Sequence, residues 1–509
     1  MRTRSYFRGA LLAILIASTS GIALHAQSQK FASGSLSSTI PVTTPSKQAR
    51  QAFEKGWKLC EELLYVEKCI ESFRASVKAD PNFALGHAAL AYFTDDPGEA
   101  KRERALAARN SVHAPRDERL FIRWLNGVKN GELVPAIAAM NDLLAKYPDD
   151  HRLANLDSEW LCSGQQNFER GAEVLENLLK KDPKYFPALN NLAYCYALDG
   201  KVSLSPPLME RYVIALPGQS NPQDSFGEIL RMSGDFQGAL EHYHASLKID
   251  SHFAASQVGI ATTYALMAEE EQARAEYLKA VSMTNDRGTK LNYLMLRAMT
   301  YYRENQPQQA RKTYTALAAQ AHAHGFPLQE AEIYRAMALF NTDPASALQD
   351  LDAGQAVLFN QQVLSHEDHN TELASLLQAR AYIGARAKNP AAVQQALIPL
   401  IAMAQTSRNN LIQMSYHSAT GAQLFLEGKF ADAISELQYD PRNPLSLELL
   451  TEAQKAEGSS ADSQKTLATL AAISDERVET AVAAPGARAA LKAAPAPSPQ
   501  QASNSAGLP

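Results

Sequence analysis

The sequence has no surplus of positive charge. Its 509 residues include 49 lysines and arginines against 54 aspartates and glutamates, which gives a formal net charge of −5. A nucleic-acid-binding protein needs a cationic surface that displaces counterions from phosphates. The charge balance therefore argues against nucleic acid as a partner.

Cysteine is scarce, and the short motifs that accompany common chemistries are missing. The four cysteines form no CxxC pair, which argues against a zinc ribbon or a thioredoxin-like site. The sequence also lacks a GxxxxGK[ST] phosphate loop, a GxSxG elbow and an HExxH zinc motif. His366 and His369 flank two acids, but no third ligand is identifiable, and polar residues at the start of a helix explain them more simply. We therefore expect no enzymatic activity, no cofactor and no metal site.

Long apolar runs are missing beyond the N-terminus. Arg2, Arg4 and Arg8 precede an apolar stretch at residues 10–17, and small residues follow as far as Ala26. This order is typical of a signal peptide, here residues 1–26 with cleavage after Ala26. An uncleaved anchor is the alternative, although a membrane span needs about 20 apolar residues. The sequence predicts a periplasmic or secreted protein with no membrane span once the signal is removed.

Both ends of the remaining chain have a composition that differs from that of the middle. Residues 27–48 are rich in Ser, Thr and Gln and predict a flexible leader. Residues 474–509 predict a short capping helix, at about 475–483, followed by a disordered tail rich in Ala and Pro. The tail, from residue 481 onward, lacks the large apolar side chains that a packed helix buries.

Between these ends, small and large residues recur with a period near 34 residues. The clearest copies hold Ala193, Tyr196 and Tyr212; Gly227, Leu230, Ala239 and Tyr243; Ala261, Tyr264, Ala273 and Tyr277; and Ala298, Tyr301, Ala310 and Tyr314. Two antiparallel helices approach closely only where one of them presents a small side chain. One such hairpin cannot cover its own apolar face, so its neighbours must stack against it.

This alternation resembles the tetratricopeptide repeat family, in which a proline commonly ends the second helix, as Pro81, Pro148, Pro183 and Pro217 would here. With the N-terminal segment, the chain resembles an exported bacterial member of that family. The resemblance implies an all-α fold: an α-solenoid of about twelve stacked antiparallel helix pairs, some degenerate, over residues 49–473. HEAT arrays have longer repeats and fit the 34-residue spacing less well.

The resemblance also implies a concave groove, lined by the first helix of each pair, that binds a peptide or a partner protein. The residues carried over to this groove are Asn190, Asn191, Tyr194, Asp224, Glu228, Arg231, Thr262, Met299 and Tyr302. In the family, an asparagine at position 190 or 191 can bond to the backbone of an extended peptide. Asp224 and Glu228 predict a partly acidic groove that favours a basic or polar ligand, unless these residues are ordinary helix surface.

Two functions follow from this resemblance. The first is an exported interaction scaffold in an envelope-assembly or secretion complex, with a protein or peptide partner of unknown identity. The alternative is a glycan-binding or enzymatic protein built on the same helices. The oligomeric state is open.

The cysteines predict one disulfide and leave a second one open. In the first repeat, Cys60 takes the large place of the first helix and Cys69 the small place of the second, and these places face each other. A Cys60–Cys69 bridge and two buried thiols are both consistent with this arrangement. Cys162 and Cys195 lie on first helices of adjacent repeats, where free thiols are favoured over a bridge. An exported protein would permit either disulfide.

Overall fold

The computed structural model describes residues 39–61 and 66–493, and these residues form helices and connecting loops without any strand. The α-helices, numbered α1 to α25 in chain order, are Lys47–Glu61, Val66–Ala79, Ala84–Phe93, Pro97–Asn110, Arg116–Asn130, Leu133–Lys146, His151–Glu159, Phe168–Lys181, Phe186–Leu198, Pro206–Ala215, Ser220–Ser233, Phe236–Ile249, Ala254–Leu266, Glu270–Met283, Arg287–Arg303, Pro307–His324, Pro327–Leu339, Pro344–Phe359, His366–Arg386, Pro390–Thr406, Asn410–Leu426, Phe430–Leu437, Pro444–Ala456, Ser460–Ala472 and Val478–Ala493. A π-helical turn, Trp160–Gly164, extends α7.

Helices α1 to α24 form twelve consecutive hairpins, the number that the sequence predicts. Local signals set their ends. Asp235 caps α12 by accepting a hydrogen bond from the backbone N–H of Gly238 at 3.0 Å. Gly234, just before it, ends α11 in the left-handed region with φ +87°, where a residue without a Cβ is least strained. The paired helices are thus joined by tight turns, which bring them together side by side.

Small residues let the two helices of a hairpin approach closely. Ala239 and Ala273 have no exposed surface, and Tyr243 and Tyr277 are at most 2% exposed. A Cβ added to Gly227 would lie 3.0 Å from the ring of Tyr243. The predicted alternation of small and large residues therefore determines how the helices of the array pack.

The array winds so tightly that hairpins distant in sequence meet. Lys129 of α5 forms an ion pair with Asp368 of α19 at 3.1 Å. Asn410, at the start of α21, donates from its side chain to the backbone oxygen of Gln165 at 3.2 Å. The inner surface is therefore enclosed by helices from both ends of the chain.

The termini differ from what composition predicts. The predicted signal peptide and residues 27–38 of the leader lie outside the described residues. Residues 39–46 pack on the array: the backbone N–H of Ile40, which is 4% exposed, donates to Asp150 at 3.0 Å. At the other end, α25 continues to Ala493 through residues that composition predicts to be disordered, because its small side chains pack against helices already in place. Residues 494–509 lie outside the described residues.

Two disulfides join neighbouring helices. Cys60 and Cys69 link α1 to α2 with Cα atoms 5.4 Å apart. Cys162, in the π-helical turn, is bonded to Cys195 of α9 with Cα atoms 5.5 Å apart. The free thiols favoured for this second pair are thus replaced by a bridge, because the π-helical turn places Cys162 against α9. Within the described ranges, no helix is long and apolar enough to traverse a bilayer.

Candidate functional site

The inner surface of the array, the groove, is built mainly from the first helix of each hairpin. It encloses a cavity of about 320 Å³ between helices of the N-terminal, central and C-terminal hairpins. The lining includes Tyr92, Lys129, Met295, Met299, Arg335, Glu367 and Glu372, together with Glu476 and Glu479 from the end of the chain. The groove is therefore rich in charged side chains.

A half-buried carboxyl group lies in this cavity wall. Glu367 of α19 accepts a hydrogen bond from the Asn409 side chain at 2.6 Å. Burial raises the pKa of Glu367 from 4.5 to about 7, and the positive charge of Lys129 offsets only part of that rise. This carboxyl group therefore changes its charge near neutral pH.

A second polar cluster lies on α9 and α11. The hydroxyl of Tyr194 donates to Glu228 at 2.8 Å, and Arg231 donates to the other oxygen of Glu228 at 3.2 Å. Arg231 is only 3% exposed. Burial lowers its pKa, but the negative charges of Glu476 and Glu228 outweigh this effect and hold the pKa above its ordinary value. The arginine is therefore charged and depends on its carboxylate partners.

The C-terminal segment, residues 474–493, supplies one of these partners. Arg231 forms an ion pair with Glu476 at 3.2 Å and donates to the backbone oxygen of Ser474 at 3.3 Å. The side chain of Glu476 is 12% exposed. A residue predicted to face an external ligand thus holds the chain's own C-terminal segment.

The same arrangement occurs again on α17. Arg335, which is 7% exposed, donates to Glu372 of α19 at 2.9 Å and to Glu479 of α25. Arg231 and Arg335 therefore each lie between a glutamate of the groove and a glutamate of the C-terminal segment. Five N–H donors in a planar fork suit an arginine to bind two carboxylates in this way.

Further contacts hold the connection between α24 and α25. Arg477 pairs with Asp475 at 2.9 Å and donates to the backbone oxygen of Arg442 at 3.1 Å. Arg488 of α25 donates to the backbone oxygens of Ala471 and Ile473 at 3.0 and 2.6 Å. These bonds fold the C-terminal segment back against the last hairpin.

The remaining groove residues predicted from the sequence are largely engaged in packing. Asp224, 2% exposed, accepts a hydrogen bond from Ser256 at 2.7 Å. Thr262 is 3.0 Å from the hydroxyl of Tyr277, and the ring of Tyr302 stacks on Phe340 with centroids 4.2 Å apart. Because burial withdraws Asp224 from the interior surface, it does not give the groove the acidic character that the sequence suggests.

The two predicted asparagines differ from each other. Asn191 donates to the side chain of Asn155 at 3.0 Å. Asn190 is 1% exposed, and neither its amide nitrogen nor its amide oxygen has a hydrogen-bond partner. Of the predicted residues, the structure brings Tyr194, Glu228 and Arg231 into one cluster, while Met299 lines the cavity.

Sequence reasoning missed Arg335, Glu372, Glu476 and Glu479. Arg335 lies in α17, a first helix beyond the clearest repeats. The signal that could have found it is an arginine within the otherwise apolar and aromatic run of residues 333–340, a position that buries its side chain. Glu476 and Glu479 carried no signal, since only the winding of the array brings them inside.

A second cavity, of about 1410 Å³, lies on the other side of the connection between α24 and α25. Gln166, Gln454, Arg442 and Arg477 are among its lining residues. Both amide atoms of Gln166 and the amide oxygen of Gln454 are buried without a hydrogen-bond partner. Across residues 39–61 and 66–493, no cluster of three or more His, Cys, Asp and Glu residues could hold a metal ion.

Comparisons with known proteins find structural likeness only. No protein-family model and no curated protein matches the sequence. Among solved structures, a MamA structure (MSR-1) is 21% identical and matches 33% of this chain and 96% of its own, with a TM-score of 0.26. A tetratricopeptide repeat protein from Parabacteroides merdae ATCC 43184 is 16% identical over 49% of this chain and 98% of its own, with a TM-score of 0.35. Yeast Tom70 is 12% identical over 82% of this chain and 96% of its own, with a TM-score of 0.40. The contacts of its own hairpins show an all-α solenoid of stacked helix pairs, which is the architecture that the resemblance to tetratricopeptide repeats implies.

Proposed function

We propose that the protein is an exported interaction scaffold that binds a peptide or a segment of a partner protein in its groove. One observation carries the proposal: Arg231 and Arg335, both more than nine-tenths buried, hold carboxylates of a chain segment inside the array. Buried arginines that form ion pairs with an inserted segment can bind the carboxylates of a peptide in the same way. An envelope-assembly or secretion complex is the setting that we propose for it.

Export is part of the same proposal. The basic start and apolar run at residues 1–26 support it, and so do the two disulfides, since disulfides persist mainly in oxidising compartments. Fusing residues 1–48 to a reporter enzyme that is active only after export tests this part. We expect activity from the fusion and none when the apolar run is interrupted by charged residues. An inactive fusion would contradict export.

The binding role is tested at the cluster on α9 and α11. Tyr194→Phe removes the hydroxyl that donates to Glu228, and Glu228→Gln removes the charge that faces Arg231. Partner segments identified by proximity labelling in the exported compartment are then measured as purified peptides against each variant. We expect weaker binding with an unchanged circular dichroism spectrum, because Tyr194 and Glu228 orient Arg231, the cation that holds the bound segment. The matched control is Glu457→Gln, on an exposed carboxylate. Unchanged binding by the groove variants would place the binding site elsewhere.

Glycan binding is a second candidate, favoured by the larger cavity. Gln166 and Gln454, whose side chains contain buried amide atoms without a hydrogen-bond partner, are among its lining residues, and amide groups bind sugar hydroxyls. A thermal-shift screen of oligosaccharides tests this candidate, because a specific ligand raises the melting temperature. The shift should disappear in the Gln454→Leu variant, and the absence of any shift would exclude a glycan role.

A further inference from the structure

We infer that the C-terminal segment, residues 474–493, is an internal pseudo-ligand of the groove, and that the partner which displaces it is an acidic peptide. The inference rests on the proposed binding role and specifies the chemistry of the partner. It replaces the sequence-based expectation of a basic or polar ligand.

The first support is the pattern of charge. Glu476 and Glu479 are three residues apart, and they bind Arg231 and Arg335, which are separated by 104 positions on different hairpins. When the segment leaves, Arg231 keeps its pair with Glu228, and Arg335 keeps its pair with Glu372. Each arginine loses the glutamate that the segment supplied. A peptide with two glutamates at the same spacing restores both pairs. A basic peptide would place like charge against both guanidinium groups.

The acids of the groove do not reverse this preference. The oxygens of Glu228 already accept from Tyr194 and Arg231, and Asp224 accepts from Ser256. Asp368 is paired with Lys129 at 3.1 Å. These three carboxylates therefore have partners within the array, whereas the two arginines take their second carboxylate from the C-terminal segment.

The second support is the weak apolar hold of α25. Its buried residues are Thr480, Ala483, Ala484 and Ala487, whereas α23 buries four leucines. The apolar area removed from water sets the strength of such packing, so α25 is held more weakly than a helix of the repeats. Its two valines, Val478 and Val482, are only partly buried.

The helix also contains residues that weaken it from within. Pro485 lies inside α25 and has no backbone N–H to donate, and Gly486 follows it in open space. Both residues disfavour a helix interior. Residues 473–477, which connect α25 to α24, are not helical. The charged contacts therefore provide much of the force that keeps the segment in the groove, and a competing acidic peptide can replace the pairs that Glu476 and Glu479 form with the two arginines.

The test uses the full mature chain and a labelled synthetic peptide with the sequence of residues 474–493. Fluorescence anisotropy measures binding of this probe to the wild type and to the double variant Glu476→Gln/Glu479→Gln. The variant weakens the internal copy and leaves Arg231 and Arg335 unchanged, so we expect it to bind the probe at least tenfold more tightly than the wild type. Equal affinity for both proteins would overturn the inference.

Two controls isolate charge as the cause. The double variant Glu132→Gln/Glu457→Gln removes two exposed carboxylates and should bind the probe like the wild type. A probe carrying glutamine at positions 476 and 479 should bind the loosened protein at least tenfold more weakly than the acidic probe. This second control changes only the probe, so its result does not depend on whether a further variant of the protein folds. A glutamine or lysine probe that binds as well as the acidic one would overturn the inference.

The outcomes separate this inference from the proposed function. If no variant binds the acidic probe while Tyr194→Phe and Glu228→Gln still weaken binding of a partner peptide, the groove binds partners but the segment is no pseudo-ligand. If the acidic probe binds as expected and those two substitutions change nothing, the pseudo-ligand stands and the partner site lies elsewhere. Hydrogen exchange adds a direct readout: the acidic probe should increase exchange at residues 478–493 of the full chain, and constant protection would contradict displacement.

Discussion

The ring of Tyr243 on α12 covers the backbone of Gly259 on α13 so closely that a Cβ atom at position 259 would lie 2.3 Å from two ring atoms. Tyr243 is 2% exposed and also receives a hydrogen bond from Arg231 at 3.4 Å. One tyrosine thus joins the stacking of two hairpins to the polar cluster of the groove.

This contact predicts that Gly259→Ala is destabilising. The added methyl group must displace a buried ring that has neighbours on all sides, and overpacking of this kind costs about 1–3 kcal/mol. Urea denaturation should show the loss as a lower midpoint. Gly218→Ala is the matched control, since a Cβ there meets nothing within 4 Å. Equal midpoints for the two variants would contradict the packing described here.

Each disulfide should contribute to the free energy of unfolding according to the length of the loop that it closes. Cys162 and Cys195 are 33 residues apart, and Cys60 and Cys69 are 9 apart. Loop-closure entropy then predicts losses of about 3.5 and 2.5 kcal/mol when each pair is changed to serine. Equilibrium unfolding of both double variants measures the difference. A larger loss for the shorter loop would contradict the entropic account, and full reduction of the wild type should be at least as destabilising as either variant.

Glu367 predicts a dependence of stability on pH. Burial raises its pKa in the folded state from 4.5 to about 7, so its contribution is fully present below pH 4.5 and is lost as the pH rises through 7. Glu367→Gln keeps an acceptor for Asn409 and cannot ionise. Relative to the wild type, this variant should therefore gain about 2 kcal/mol in unfolding free energy between pH 5 and pH 8. Parallel stability profiles over this range would show that Glu367 ionises without cost.

The buried ion pair of Arg335 and Glu372 predicts a large loss of stability when the charge of Arg335 is removed. Arg335→Met leaves Glu372, whose side chain is 4% exposed, without its guanidinium partner. Removing one member of a buried ion pair costs about 3–5 kcal/mol because the other charge remains buried. Arg170→Met is the control, since Arg170 and Glu173 are both 57% exposed and such a pair contributes about 1 kcal/mol or less. Thermal unfolding of the two variants should differ clearly, and equal melting temperatures would contradict the assignment.

The hairpins were predictable because their determinants are local. Ala239 and Ala273, Tyr243 and Tyr277 recur at fixed spacing, and each needs only its adjacent helix to be buried. The path of α25 was not predictable from composition. Residues such as Ala483 and Ala484 bury little area of their own, and they pack only because other helices already form a surface there.

The candidate site was predictable as a helix face but not as an accessible surface. The repeat register places Asp224 and Arg231 on the first helix of one hairpin, yet Ser256 covers the first and Glu476 binds the second. Which inner residues remain open depends on the accumulated rotation between successive hairpins. A short window of sequence does not determine this accumulated rotation. The contact between Arg335 and Glu479, which are 144 positions apart, was therefore not predictable from the sequence.

The pairing of Lys129 with Asp368 changes how the array should lose its structure. In an open solenoid, each repeat contacts only its neighbours, so stability adds along one dimension and the ends fray independently. Here the third hairpin is joined to the tenth across 239 positions, and the fourth is joined to the eleventh through Gln165 and Asn410. Unzipping from either end must therefore break contacts in the other half, which favours melting as one cooperative unit. The same long-range contacts raise the contact order and slow folding relative to an open array of equal length.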